Sequence, residues 1–421
     1  MRILVATDAF PPVCGGSGWS TYELARGLRE RGHELCIVQA LAGSPADHGR
    51  SYDGFRVRTI EQPAPAAPFV RNYFKNERLW ARAAPELRAI AAGMHAELIH
   101  AQHVLTGPAA VAAGAGLGVP VVCTVRDYWP VCYWGTLIHD PASPTLCPAC
   151  SASMMTRCVR PRAGAAWPLA LPFVPYMRAN LARKQRALAE ASAVVAVSSA
   201  IARDLRGRSS ALASARIEII PNPVDVAGIR RAAQAEAPPV KGPYAIFVGK
   251  LEHNKGTQFL LPAAERAGLS WPLVVVGDGR QRGALEAEAR RLNRDARFLG
   301  WLDSPRALAW LAHASLLVFP SYGPESLSRV LLEAAATGVP IAAMKTGGTG
   351  DILEHDVSGL LSATPDELGD HVARLVSDRV LADGLARRAR EHVSAHFDTT
   401  RVVSRLEALY QDLIDRQARR A

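Results

Sequence analysis

Apolar residues along this chain come in short β-branched runs, separated by stretches with helical spacing. The first unit sets the pattern. Ile3-Leu-Val-Ala6 is a short apolar strand, followed by a Pro/Gly-rich loop, Phe10-Pro-Pro-Val-Cys-Gly-Gly-Ser-Gly18. Residues 20–31 then place Leu24, Ala25 and Leu28 on one helical face, Gly32 stops the helix, and Glu34-Leu-Cys-Ile-Val38 reads as the next strand. Strand, loop, helix and strand in that order are the repeat of a parallel α/β sheet. Further strands are predicted at Leu98-Ile-His100, Val121-Val-Cys-Thr-Val125 and Ala193-Val-Val-Ala-Val197.

The pattern then restarts. Ile217-Glu-Ile-Ile220 leads into the turn-rich Pro221-Asn-Pro-Val-Asp225, and Ala237-Pro-Pro-Val-Lys-Gly-Pro243 reads as a linker. New strands are expected at Ala245-Ile-Phe-Val248, Leu273-Val-Val-Val276, Ala296-Arg-Phe-Leu299, Leu316-Leu-Val-Phe319 and Val339-Pro-Ile-Ala342, with helices between them. From about Asp366 the chain reads as helical and rich in Arg and Ala. Two successive doubly wound domains are the economical reading. An irregular segment of residues 127–186 interrupts the first and reads as an insertion on it.

Length and composition agree. A chain of 421 residues is long enough for two domains, and 49% apolar with 21% charged residues fills ordinary cores. That excludes a disordered or collagen-like chain. Aromatic residues, at 6%, are too few for a stacking platform on single-stranded nucleic acid. The net charge of +10 favours anionic partners such as phosphorylated small molecules, acidic lipid headgroups or nucleic acid.

The N-terminal apolar run is too short for a secretory signal. The longest stretch free of charge and His, residues 104–125, is broken by Gly107, Pro108, Gly114, Gly116, Gly118 and Pro120. It reads as a helix leading into a buried strand, not a membrane span. The expectation is a cytoplasmic protein, with peripheral contact at the inner membrane face. Phe69-Val-Arg-Asn-Tyr-Phe-Lys75 through Arg82, and residues 167–186, combine basic and aromatic residues suited to such contact.

Seven Cys in a chain without an export signal do not suggest a disulfide framework. Four of them cluster: Cys132, then Cys147-Pro-Ala-Cys150, then Cys158. One Cys-x-x-Cys with two outlying thiols suits a tetrahedral structural zinc site; free buried thiols, an adventitious disulfide and an iron–sulfur cluster are the alternatives, since spacing alone does not choose the metal.

The strongest signal for chemistry is Pro320-Ser-Tyr-Gly-Pro-Glu325-Ser-Leu-Ser-Arg-Val-Leu-Leu-Glu333-Ala-Ala-Ala-Thr-Gly338. It follows an apolar strand and runs into a helix. The backbone N–H groups of Ser326, Leu327 and Ser328 would then face outward at a helix N-terminus, an arrangement that binds phosphate. Glu333, eight residues past Glu325, would lie two turns further along the same face, where a carboxylate accepts hydrogen bonds from vicinal hydroxyls.

With these residues the sequence resembles the retaining glycosyltransferases of family 4, which have the GT-B fold. The resemblance covers most of the chain. It rests on Phe10-Pro-Pro, Gly15-Gly16, Leu24-Ala, Leu28 and Gly32-His33, then Ile220-Pro-Asn-Pro-Val-Asp225 and Val248-Gly-Lys250 with Lys255-Gly256. Val276-Gly-Asp-Gly279, the two Glu, Gly347-Gly348, Asp351 and Gly359 continue it in order. The resemblance implies two Rossmann-like doubly wound domains facing across a cleft: an acceptor-side domain of residues 1–215 carrying the Cys-containing insertion, and a nucleotide-sugar-binding domain of residues 216–395. A terminal helix, residues 396–421, should pack back on the first domain.

It further implies a nucleotide-diphosphate sugar as donor, no cofactor for transfer, and a glycan, lipid-linked or small-molecule hydroxyl as acceptor. Lys250 and Lys255 match the basic pair that meets the diphosphate, although the family usually has Arg at the first, and Lys offers only a point charge. Glu325 would hold the sugar hydroxyls and Glu333 those of the ribose. Gly15, Gly16, Ser326, Leu327, Ser328 and Arg329 complete the donor set. His103, at the end of Leu98-Ile-His-Ala-Gln-His103, is expected in the site, and His100 in the core. Asp127 is an acceptor-side candidate, next to Arg126 where the family usually has His. No residue marks itself as a carboxylate nucleophile.

Three rivals are weaker. A dinucleotide-dependent oxidoreductase would need G-x-G-x-x-G after a strand, and neither Cys14-Gly-Gly-Ser-Gly18 nor Gly277-Asp-Gly-Arg-Gln-Arg-Gly283 has that spacing. A basic nucleic-acid or membrane-surface binder has only net charge in its favour. A sugar-phosphate synthase or phosphorylase on the same fold would share the donor half.

Overall fold

The computed structural model describes residues 1–12, 14–42, 51–140, 145–235 and 240–419. Residues 237–239 of the expected linker lie outside them. The chain divides into two compact units.

The first unit comprises Met1–His139, Cys147–Pro223 and Thr399–Ala421. Its strands are β1 (Arg2–Thr7), β2 (Glu34–Ala42), β3 (Ser51–Tyr52), β4 (Phe55–Gln62), β5 (Leu98–Ala101), β6 (Val121–Val125), β7 (Ala193–Ala196) and β8 (Ile217–Ile219). They lie in the order β3-β4-β2-β1-β5-β6-β7-β8, parallel except for β3 with β4. Strands β5, β6 and β7 are buried at every residue, as a parallel sheet covered on both faces requires. From β1 the chain goes to β2 on one side and, later, to β5 on the other. That reversal makes the carboxyl ends of β1 and β5 the place where such sheets bind ligands.

The helix Thr399–Ala418 belongs to this unit. Val402, Val403, Leu406, Leu409, Tyr410 and Leu413 sink into one core with Ile3, Val5, Leu24, Leu28 and Leu98. Six buried side chains at helical spacing, each contributing on the order of 1.5–3 kcal/mol, make it a structural member of the core.

The second unit holds β9 (Ala245–Val248), β10 (Leu273–Val276), β11 (Ala296–Gly300), β12 (Leu316–Phe319), β13 (Ile341–Met344) and β14 (Leu360–Ser362), all parallel, in the order β11-β10-β9-β12-β13-β14. Its reversal lies between β9 and β12. The segments that leave those two ends are Gly249-Lys250 and Pro320 to Glu325.

Several expectations need correcting. Ile217–Ile219 pairs with β7, so this strand closes the first sheet and does not begin the second; the units meet at Pro223 and Val224, and again at Asp398 and Thr399. The first helix starts at Gly16, not Ser20, because the Gly15 carbonyl already accepts from the N–H groups of Gly18 (3.0 Å) and Trp19 (3.3 Å). The segment 127–186 is irregular only at its start. Helices run over Ala152–Ala163, Trp167–Ala170 and Phe173–Glu190, and Tyr133, Met155, Val159, Val174 and Met177 give it a core of its own. Strands β3, β4 and β14 are not among the predicted ones, and β13 begins two residues later than expected.

Candidate active site

In the second unit, Lys255 and Glu325 come together. Lys255 Nζ donates to Glu325 Oε1 at 2.5 Å, and the Ser321 hydroxyl donates to the same oxygen at 2.5 Å. Two glycines make this approach feasible. Gly256 has φ +69°, and a Cβ there would stand 1.8 Å from the Pro320 carbonyl oxygen. Gly347 has φ +50°, and a Cβ there would meet the Glu325 carbonyl oxygen at 1.9 Å. That carbonyl also accepts from Gly348 N–H at 2.7 Å. Backbone therefore presses on backbone on both sides of the ion pair, and no side chain fits between. Glu325 is 12% exposed against 33% for Lys255, so the carboxylate is the fixed partner.

The helix beyond runs over Arg329–Thr337, one turn later than the sequence suggests. Ser328 caps it, its hydroxyl accepting from Leu331 N–H at 3.5 Å. Ser326 and Leu327 thus lie in the turn ahead of the helix, and Glu325 is not on the helix at all. The expected stack of Glu325 and Glu333 on one face is replaced by a pair one turn apart: Arg329 Nε donates to Glu333 Oε1 at 2.7 Å. Lys250 is exposed beyond the end of β9.

In the first unit, His103 joins two carboxylates. Its Nε2 lies 2.8 Å from Asp127 Oδ2, and its Nδ1 lies 3.6 Å from Asp8 Oδ2. Leu105 N–H donates to Nδ1 at 3.2 Å, which leaves Nε2 as the N–H that donates to Asp127. Burial pushes the His103 pKa down, but Asp8 and Asp127 outweigh it and raise it above its ordinary value. Asp127 is held in turn by Trp129 N–H at 2.9 Å.

His100 is a core residue. Its Nδ1 meets the Tyr410 hydroxyl at 2.5 Å and its Nε2 the Thr124 hydroxyl at 2.7 Å. Burial, helped by the Arg126 charge, pushes its pKa down to about 3, so it is neutral at physiological pH.

Sequence reasoning missed Asp8 and Lys184, and it placed His103 rather than Gln102 in the site. Asp8 follows β1 directly, and its place at the sheet reversal was the available signal. Gln102 is fully buried and bridges His100 to Arg126, whose Nη2 donates to Gln102 Oε1 at 2.5 Å. Arg126 also donates to Asn222 Oδ1 at 2.8 Å and Thr21 Oγ1 at 2.9 Å. Burial lowers its pKa to about 10, still a cation at neutrality. Lys184 is 1% exposed, with Nζ 4.8 Å from the Trp129 ring centre and 5.8 Å from that of Tyr133. Nothing in the sequence singled it out from other helical lysines.

Gly15 and Gly16 are exposed at the start of the helix Gly16–Glu30. Gly15 has φ −85°, and a Cβ there would meet nothing within 4 Å, so neither conformation nor internal packing calls for glycine. Cys132, Cys147 and Cys158 are buried and Cys150 half-buried, none of them in a disulfide. Among the described residues no three His, Cys, Asp or Glu side chains already stand in metal-holding geometry.

Two parallel-sheet units, each with its polar residues at the sheet reversal, define the GT-B class of fold. The solved structures agree. A structure of Anabaena Alr3699/HepE in complex with UDP-glucose matches with TM-score 0.65 over 98% of this chain and 100% of that one, at 21% identity. Sucrose-phosphate synthase from Thermosynechococcus elongatus matches with TM-score 0.70 over 99% and 100%, at 18% identity. The family profile Glycosyltransferase Family 4 matches residues 14–227, and that of Glycosyl transferases group 1 matches residues 242–378. The chain belongs to glycosyltransferase family 4. It is 33% identical to a glycogen synthase of Mycobacterium tuberculosis over 47% of this chain and 48% of that protein, so the match spans about half the length of this curated relative. It is 29% identical to D-inositol 3-phosphate glycosyltransferase of Salinispora arenicola over 95% of this chain and 88% of that protein. Among the described residues no helix is long and apolar enough to cross a membrane.

Proposed function

We propose that the protein is a retaining glycosyltransferase that moves a sugar from a nucleotide-diphosphate sugar to a hydroxyl acceptor. The observation that carries this reading is Glu325 beyond β12: Lys255 and Ser321 hold its carboxylate, and Gly348 N–H holds its main-chain carbonyl. Such a carboxylate accepts hydrogen bonds from sugar hydroxyls, and the neighbouring ammonium supplies the charge a diphosphate needs. Lys250 adds a second cation, Glu333 with Arg329 addresses the ribose, and the amides of Ser326, Leu327 and Ser328 face the phosphate or sugar. A glycine that the chain itself does not require, Gly15, suits a backbone approached closely by a ligand, with Gly16 opening the helix behind it.

In the reaction, the acceptor oxygen bonds to the anomeric carbon on the face from which the diphosphate leaves. The carbon–oxygen bond to phosphate breaks, and the hydroxyl proton passes to the departing phosphate. Lys255 and Lys250 stabilise the charge that develops there. On the acceptor side, Asp127 is 28% exposed against 9% for His103. Asp127 is therefore the group that meets the acceptor hydroxyl, and His103 positions it.

A panel of nucleotide sugars in a thermal-shift assay tests the donor. A ligand at about 100 times its Kd adds about 2.7 kcal/mol to apparent stability, a clear rise in Tm. Absence of a shift with every UDP-, GDP- and ADP-sugar would sink the reading.

For location, the proposal is a cytoplasmic enzyme in peripheral contact with anionic membrane. Val70, Tyr73 and Leu169 are exposed at 41%, 43% and 81%, and the Tyr73 and Tyr176 rings, 6.3 Å apart, join the two basic-aromatic stretches into one surface. Failure to co-sediment with anionic vesicles at low salt counts against it.

A further inference from the structure

The thiols of the insertion meet two by two. Cys132 is hydrogen-bonded to Cys150, and Cys147 to Cys158. Both pairs line one void of about 10 Å³, whose walls also include Met155, Met177, Trp134 and Arg208. A void of that size admits a single small occupant.

The backbone around it is equally specific. The sulfur of Cys132 takes hydrogen bonds from the N–H groups of Trp134, Thr136 and Leu137. That of Cys150 takes one from Tyr133, and that of Cys147 one from His139. Five amides of a single loop thus aim at three sulfurs. Backbone amides around a sulfur are the outer-shell donors that orient a metal ligand. Cations complete the surroundings. Arg208 lines the void and Arg162, which donates to the carbonyls of Ile138 and Cys158, lies within electrostatic reach of Cys147 and Cys158.

We infer that Cys132, Cys147, Cys150 and Cys158 form a structural zinc site, closed by four thiolates around the shared void. Four thiolates against a dication leave two net negative charges, which Arg162 and Arg208 offset. Loading requires the two thiol pairs to close on the void by side-chain rotation, and the thiol protons pass to water as the metal binds. The site has a consequence for the acceptor side. Cys132 N–H donates to the Tyr128 carbonyl at 2.7 Å, and Trp129 N–H holds the Asp127 carboxylate at 2.9 Å. One turn of chain therefore connects the metal knot to Asp127. The zinc site is independent of the transferase reading, since it holds or fails on metal content alone.

The test uses the full chain purified without chelator. Elemental analysis should give about one zinc per chain, and the double variant Cys147→Ser/Cys150→Ser should fall below about a tenth of that. Should the variant not fold, the wild type supplies the second reading. Refolded with Co²⁺, it should show the absorption of a tetrahedral cobalt tetrathiolate. Wild-type protein with no more than trace metal and no cobalt–thiolate absorption overturns the proposal. So does a thiol assay on native protein showing two disulfides among these four residues. A thermal shift with a nucleotide sugar in protein that carries no metal as purified would leave the transferase reading intact, while the missing metal removes this one.

Discussion

Replacing Lys255 by Met separates what the ion pair does for the fold from what the ammonium does for catalysis. In the free protein the lysine is one-third exposed, so its bond to Glu325 is screened and contributes no more than about 1 kcal/mol. For a unit of about 150–250 residues that is a change in Tm of only about 2–4 °C. Against a developing diphosphate charge the same ammonium acts differently. Two unit charges about 4 Å apart at an effective dielectric constant of about 20 interact by about 4 kcal/mol, and screening at a one-third-exposed site reduces this to about 2–3 kcal/mol. The expected loss is therefore about 30- to 150-fold in kcat/KM for the donor. Glu325→Gln should cost a similar factor through weakened hydrogen bonds to sugar hydroxyls, again with Tm nearly unchanged. Because the two groups touch, the double variant should lose less than the product of the single losses. Steady-state kinetics with the donor found in the nucleotide-sugar panel, alongside melting curves, reads all three. A loss below about threefold in Lys255→Met, with the fold intact, would refute the assignment of this lysine to the diphosphate.

His103 should titrate above its ordinary value in the folded protein, and Asp127→Asn should bring it down as burial gains weight; NMR of the imidazole protons measures both. With a raised folded pKa, its stabilising contribution is present below the unfolded value and lost as pH rises through the folded one. His100 has the opposite sign. Its folded pKa of about 3 means a contribution present above about pH 6.5 and lost as pH falls towards 3, so His100→Gln should flatten the acid limb of the stability profile. Gly347→Ala should lower both Tm and activity, since positive φ costs about 1–3 kcal/mol and the clash with the Glu325 carbonyl adds to it; wild-type values for both would show the clamp to be dispensable.

Much of the architecture was legible because buried parallel strands announce themselves. Runs such as Val121-Val-Cys-Thr-Val125 have no alternation to confuse. Strand β4 escaped because its alternating Arg56, Val57 and Arg58 give it a polar face near the edge of the sheet. The helix start at Gly16 escaped because Gly-Ser-Gly reads locally as a loop and only tertiary packing winds it. In the site, Lys255 and Glu325 stood out by their motifs, and the fold adds that they touch. Asp8 and Lys184 were silent, since each meets partners distant in sequence: Asp8 faces His103 and Lys184 faces the Trp129 and Tyr133 rings. Local spacing carries no trace of such pairings.

The placement of the helix Thr399–Ala418 has a consequence for how the chain matures. The first sheet lacks part of its apolar cover, and His100 its Tyr410 partner, until residues 399–418 have been synthesised. A ribosome that has released residues 1–223 has thus made a half whose core is still open to water. Proteins trimmed before residue 399 should carry that open face permanently and aggregate from the amino-terminal side, however well the other half folds.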